Sequence, residues 1–320
     1  MWGNRLGWIL AVLSVAVICG LIAILLEMEQ PTPPTALTAD ASNLDVIALP
    51  ISPQDAWPLP DADNRDAGDL YRKVIDSWDD RQEQACRNFA SSPLGQPPQP
   101  LALLLQSTDC ADMRLFQDDP EAVVNYDNAH PPLDALTDAG EAALDVGLSL
   151  GKRHDAARGL QYIEAGFNLG RNLYDERIVY AEFQDGLQLM ADATAAVRLI
   201  EPGSDLAQRL TQFDAGRLDY VTNHVEPIWR AIDSADAGVI AANAGDVFVF
   251  AARSREAMWR VEAVLKLGRF RFDVNRYGDE ALANRMIGRY ETDPNPAVAA
   301  AAREAKNLTI EKYRQLGGPG

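Results

Sequence analysis

From Gly7 to Leu26 the chain runs through twenty residues without a charged side chain, GWILAVLSVAVICGLIAILL. At 1.5 Å per residue a helix of that length spans about 30 Å, the hydrocarbon thickness of a bilayer. It exceeds the apolar core of an ordinary signal peptide, so the run predicts a transmembrane helix. The flanks set its direction. The first six residues carry Arg5 and the α-amino group, whereas the far side opens with Glu27 and Glu29. Positive-inside asymmetry therefore leaves residues 1–6 in the cytoplasm and places residues 27–320 outside it. The nearest small-residue cleavage candidates, Ala39 and Ala41, lie more than ten residues past the run, too far for signal peptidase, and the expectation is an uncleaved signal anchor. Cys19 with Gly20 does not make a lipid-attachment site, because Ile18 stands where a small residue is required.

The outer portion is strongly acidic. The whole chain carries a formal charge of −18, and setting aside Arg5, the one charged side chain before Glu27, leaves −19. Such a surface repels nucleic acid and anionic lipid. The abundance of Ala, Asp and Arg is a bias of GC-rich bacterial genomes, which makes the inner membrane the expected location and the periplasm the expected compartment of the main domain. Cys86 and Cys110 are the only cysteines outside the apolar run. In an oxidising space they are a candidate disulfide closing a loop of about 25 residues, worth on the order of 3 kcal/mol, with two buried thiols as the alternative.

Seven of the nineteen prolines fall between Pro31 and Pro60, so residues 27–65 read as a stiff Pro/Asp-rich stalk. Residues 44–50 are apolar enough to lie along the folded body. Residues 66–320 then read as one all-α domain. Leu70, Val74, Trp78, Cys86 and Phe89 recur near helical spacing until the prolines from Pro93 to Pro100 end the run. Met113 to Pro132 reads as irregular. Stripes follow at Ala142, Val146 and Leu150, at Ala156, Leu160, Ile163, Phe167 and Gly170, and at Val179, Phe183, Gly186, Met190, Ala193, Val197 and Ile200. Ser204 is placed to cap a helix facing inward through Leu206, Leu210 and Phe213, and another helix runs through Met258, Val261 and Leu265. Asn295-Pro296 opens a last helix expected to continue to Leu316. Strand signals reduce to Val247–Phe250, which reads better as buried helix.

Helices of this length with short breaks predict antiparallel αα-hairpins, stacked as a bundle or solenoid. Over residues 140–173 the pattern resembles tetratricopeptide-type repeats: a helix ending Leu148-Ser-Leu-Gly-Lys-Arg-His154 turns, and Ala156, Leu160 and Ile163 open the second helix. The resemblance implies a protein-binding concave surface. The family's Trp, Tyr and terminal Pro are not at their places, and no second copy follows at its period.

Chemistry-bearing patterns are few. Gly147-Leu-Ser149-Leu-Gly151 satisfies G-x-S-x-G, the elbow that presents a nucleophilic serine in α/β-hydrolases, with His154 or His224 as base. That elbow needs a strained strand-to-helix turn, whereas this stretch reads as helix interior. Glycines four apart also let a second helix approach, and Gly159, Gly166 and Gly170 offer the matching face. His130, His154 and His224 are dispersed, Asp127 with His130 lacks further ligands, and no cofactor or metal motif occurs. The acid pairs Asp118/Asp119 and Asp175/Glu176 read as solvated surface. Asn307-Leu-Thr309 fits a glycosylation sequon inside the expected last helix. Against the acidic background, Arg253, Arg255, Arg260, Lys266, Arg269, Arg271 and Arg276 lie among Trp259, Phe270 and Phe272. This is a candidate patch for an anionic partner, or else a set of intramolecular pairs. The reading as a whole is a single-pass scaffold bound to an envelope protein, with a Ser149 hydrolase and a permanent subunit of a membrane complex as alternatives.

Overall fold

The computed structural model describes residues 49–58, 63–115, 133–225, 257–272 and 280–316. The apolar run at 7–26 lies outside them, as do Asp118, Asp119, Asp127, His130 and residues 247–250. Among the described residues no helix is long and apolar enough to cross a membrane. They are all-α apart from one short parallel ladder, β1 (Asp63–Asp66) with β2 (Cys110–Asp112), which the alternation of side chains gave no hint of. The ladder sets Asp66 where its Oδ1 accepts from the Gly68 and Arg114 amides, at 2.8 and 2.9 Å.

Among the described residues the packed body includes Leu49, ahead of Asp66. Leu49, Ala56 and Trp57 are buried, and α1 (Pro53–Ala56) is a single turn capped by Ser52. This strap lies along helices far away in sequence: the Leu49 amide donates to Tyr174 Oη at 3.2 Å, and the Trp57 ring meets Phe167 at 5.3 Å. The apolar character of residues 44–50 is the sequence signal for it.

The expected helix from Asp66 to Phe89 is two, α2 (Gly68–Ser77) and α3 (Asp80–Ser91). Asp79 takes an extended backbone and its carboxylate accepts from the Gln82 amide at 2.8 Å, a local bond that competes with helix continuation and starts a new helix. The proline stretch that ends α3 also opens α4 (Gln99–Ser107), with Pro100 in the first turn, where its missing N–H is no loss. Then come α5 (Leu133–Lys152), α6 (Ala156–Glu176), α7 (Tyr180–Ile200) and α8 (Asp205–Tyr220), which runs into a π-helical turn over Val221–Val225. Ser204 caps α8 as expected. α9 (Ala257–Phe270), α10 (Glu280–Tyr290) and α11 (Pro296–Asn307) pack on one another. Asn295 caps α11, but the expected long last helix stops at Asn307. Thr309 is extended and caps a separate α12 (Ile310–Gln315), its Oγ1 accepting from the Lys312 amide at 3.2 Å.

The interior of the body is the stack α5, α6, α7, in which α5 also touches α7 while α2, α3 and α4 cover the other side. Glycines set the spacing. A Cβ on Gly147 would stand 2.7 Å from the Gly159 carbonyl oxygen, and one on Gly159 equally close to that of Gly147. Gly166 gives room to Leu144. Because the partners of 147 and 144 are 159 and 166, the two helices run antiparallel. Gly170 was expected on this same face, but it meets α7: a Cβ there would lie 2.7 Å from Gly186 O, and one on Gly186 2.6 Å from Gly170 O and 2.7 Å from Tyr174 N. α6 therefore has a backbone-close neighbour on each side.

A methyl group at the second crossing has nowhere to go. Gly186→Ala is expected to destabilise the body by about 2–3 kcal/mol, lowering Tm by roughly 5–10 °C. Gly216→Ala on α8, whose Cβ would meet nothing closer than 3.7 Å, is expected to stabilise by about 0.5–1 kcal/mol. Thermal unfolding of the two variants checks both signs.

Candidate functional site

Ser149 is the fourth residue from the end of α5 and lies inside the helix, not on a turn leading into one. Its two flanking glycines are helix-packing positions. Ser149 borders a shallow depression of about 370 Å³ with Arg87, Ser91, Asp145, Leu148 and Lys152. The backbone of His154 ends α5. It has φ 65°, its amide donates to Gly151 O at 3.0 Å, and the next amide, of Asp155, donates to Leu150 O at 3.0 Å. This is a Schellman ending with histidine in the left-handed position that glycine usually holds. His224 belongs to the π-helical turn after α8. The two glycines of the G-x-S-x-G pattern thus lie in helix and pack on Ile163 and Gly159 of α6 and on Ile200 of α7.

Cys86 on α3 and Cys110 on β2 are both buried and are thiols rather than a disulfide. Burial pushes the Cys86 thiol up to about 11, which keeps it protonated and unreactive at neutral pH. Of the basic patch, Arg253, Arg255 and Arg276 lie outside the described residues, and Arg260, Lys266 and Arg269 are on α9. Arg271 follows the intramolecular alternative. Its Nη1 donates to Ala305 O at 2.9 Å and Lys306 O at 2.6 Å, satisfying the last carbonyls of α11, and its Nη2 is 3.5 Å from Glu280. The guanidinium also lies 5.2 Å from the Phe272 ring centre, and Phe272 in turn packs on Tyr313. Among the described residues no group of three or more His, Cys, Asp or Glu is placed to hold a metal ion.

What the pattern of residues did not reveal is a polar seam along α6. Every residue from Ala165 to Tyr174 is buried, and Asn168, Arg171, Asn172 and Glu176 are among the buried residues of this helix. Glu176, expected on the surface with Asp175, is 1% exposed. Each of these side chains ties α6 to a different element. Asn168 Nδ2 donates to Ser107 O, at the end of α4, at 3.1 Å. Arg171 Nη1 donates to Gln54 Oε1 of the strap at 2.7 Å, and its Nη2 to Asn172 Oδ1 at 3.3 Å. Asn172 Nδ2 donates to Tyr71 Oη on α2 at 2.9 Å. Glu176 Oε2 accepts from the Leu115 amide at 3.1 Å. Burial dominates the electrostatics: it raises the Tyr71 hydroxyl and lowers the Arg171 guanidinium, the latter against the charge of Asp175.

A second charged region spans the faces of α5 and α7. Burial, and then the charges of Asp138, Asp192, Asp145 and Asp185, raise the Glu141 carboxyl. Asp185 is raised chiefly by burial, while Thr137 Oγ1 donates to it at 3.2 Å and pulls it back.

Replacing His154 by glycine is the direct check on its structural role. His154→Gly is expected to raise stability by up to about 1 kcal/mol, through relief of the left-handed conformation, seen as a Tm increase of a few degrees. Comparison of the chain with protein-family models, with curated proteins and with solved structures gives no match.

Proposed function

We propose that the chain is a membrane-anchored periplasmic scaffold, held by the helix of residues 7–26 with its N-terminus inside, whose helical body binds a protein of the envelope. The observation that carries this reading is the grip of the body on the strap. Leu49, Gln54 and Trp57 are bound to Tyr174, Arg171 and Phe167 of the central helix. The strap begins 22 residues after the end of the apolar run, and a chain of that length reaches at most about 75 Å. The strap then sets the point on α6 from which the linker leads back toward the anchor. That arrangement suits a protein that presents a surface within reach of the membrane, and α5 and α7, on either side of the buried α6, offer exposed helix faces for it.

The test is purification of the full-length protein from native membranes in mild detergent, with mass spectrometry of what accompanies it. A defined envelope protein in constant ratio, lost when the body is detached from its strap by Gln54→Ala with Trp57→Ala, is the expected result. A protein that purifies alone and reacts with a fluorophosphonate probe, with labelling abolished in Ser149→Ala, would replace the scaffold by a hydrolase.

A further inference from the structure

Where α6 ends and α7 begins, two carboxyl groups meet out of reach of water. Glu182, in the first turn of α7, is 0% exposed and Glu176 is 1% exposed. Glu182 Oε2 accepts from the Ile178 amide at 2.6 Å. Its Oε1 is buried with no donor, and the group it faces is the carboxyl of Glu176. Glu176 Oε2 is already occupied by the Leu115 amide. Two ionised carboxylates in this position would be acceptors facing acceptors, with two negative charges in a site that excludes solvent. One proton turns the contact into an O–H···O bond and leaves a single charge for the surrounding amides to stabilise.

We propose that Glu176 and Glu182 share one proton at neutral pH, and that this proton is the latch of the α6–α7 corner, releasing it and the Leu115 amide in alkaline medium. The corner is suited to the role. It is only three residues long, Arg177 within it is left-handed at φ 31°, and Leu115, Ile178 and the two acids converge on it from three segments. The charged groups on the packed elements are Arg171 and Asp175 of α6, Arg177 of the corner, Arg114 beside Leu115, Arg72 of α2, Asp185 of α7 and Asp134 of α5. Arg171 is turned to Gln54 and Asn172. Arg177 donates to Tyr174 O and lies 4.9 Å from the Tyr174 ring centre. Arg72 donates to the Arg114 and Leu115 carbonyls and pairs with Asp69, and Asp134 acts on Asp185.

Burial first, and then the charge of Glu176, raise the Glu182 carboxyl well above the usual range, while the Ile178 and Val179 amides pull it back. A proton held more tightly in the folded state gives stability that is complete below the unfolded value of about 4.3. That stability is lost as pH rises through the folded value.

The experiment is the pH dependence of unfolding, from pH 5 to pH 9, for the full-length protein and for Glu182→Gln, whose amide donates to Glu176 at every pH. Other raised carboxyls, such as Asp138, Glu141 and Glu164, titrate in both proteins and cancel in the comparison. The wild-type unfolding constant is expected to gain up to tenfold per pH unit over that of the variant within this window, the limit for one proton. Difference infrared spectroscopy of the native proteins at pH 7 gives a readout independent of unfolding. A protonated-carboxyl band present in the wild type and absent from Glu182→Gln, or from Glu176→Gln should the first variant not fold, supports the shared proton. Parallel pH slopes, or a native spectrum without that band, would overturn it.

Discussion

The architecture depends on the close approach of α6 to both of its neighbours. At Gly147/Gly159 on one side and Gly170/Gly186 on the other, backbone carbonyls stand where a Cβ would be. Contact at that range brings α5 and α7 against α6, and with α2, α4 and the strap on its remaining face the helix is buried all the way round over ten residues. A helix enclosed in this way is ordinarily apolar, because polar side chains there must find partners without water. Here partners are supplied to each of the four side chains, although Asn168 Oδ1 is left without one, and the way they are supplied determines the rest of the fold. Ser107 O, Tyr71, Gln54 and the Leu115 amide each come from a different segment, and each is held in place by the group it satisfies. Buried polar bonds of this kind are worth little net when made and about 1–3 kcal/mol when broken. Their main effect is to fix which segment lies where.

Two consequences reach the ends of the body. Toward the N-terminus, Arg171 and the Tyr174 hydroxyl bind the strap, so the chain that leads in from residue 49 is part of the interior and not a tether beside it. Toward the other end of α6, the same helix terminates in a carboxyl that must accommodate Glu182. The seam thus holds an arginine whose side-chain acceptors are neutral amides, and ends in an acid facing an acid. Both are placements that the surrounding close packing imposes.

The helices were legible in the residues because their stripes are long. Val179, Phe183, Met190, Ala193 and Val197 all lie in the core as their spacing predicts, and the caps at Ser204 and Asn295 follow from side chains that accept amides locally. Two helix breaks were missed for the same physical reason. Asp79 and Thr309 are caps inside otherwise continuous periodicity, and a single polar side chain outweighed the pattern. The polar seam was illegible because periodicity assigns polar residues to solvent. Asn168, Arg171, Asn172 and Glu176 lie off the apolar stripe of α6, and only α2, α4 and the strap, distant in sequence, turn that face into interior. The glycines at 147 and 151, with 159, 166 and 170 facing them, were the advance sign of a crowded α6. Gly186, read as part of its own stripe, is the rest of that sign.

Amide hydrogen exchange of the full-length protein, resolved by segment, tests the central role of α6 most directly. The account predicts that amides from Ala165 to Tyr174 are the slowest in the body and exchange only with global unfolding. It also predicts that the strap amides at Leu49 and Ala56 are protected far beyond what an exposed linker would show. Rapid exchange of the strap, or an α6 no better protected than the peripheral α8, would contradict it.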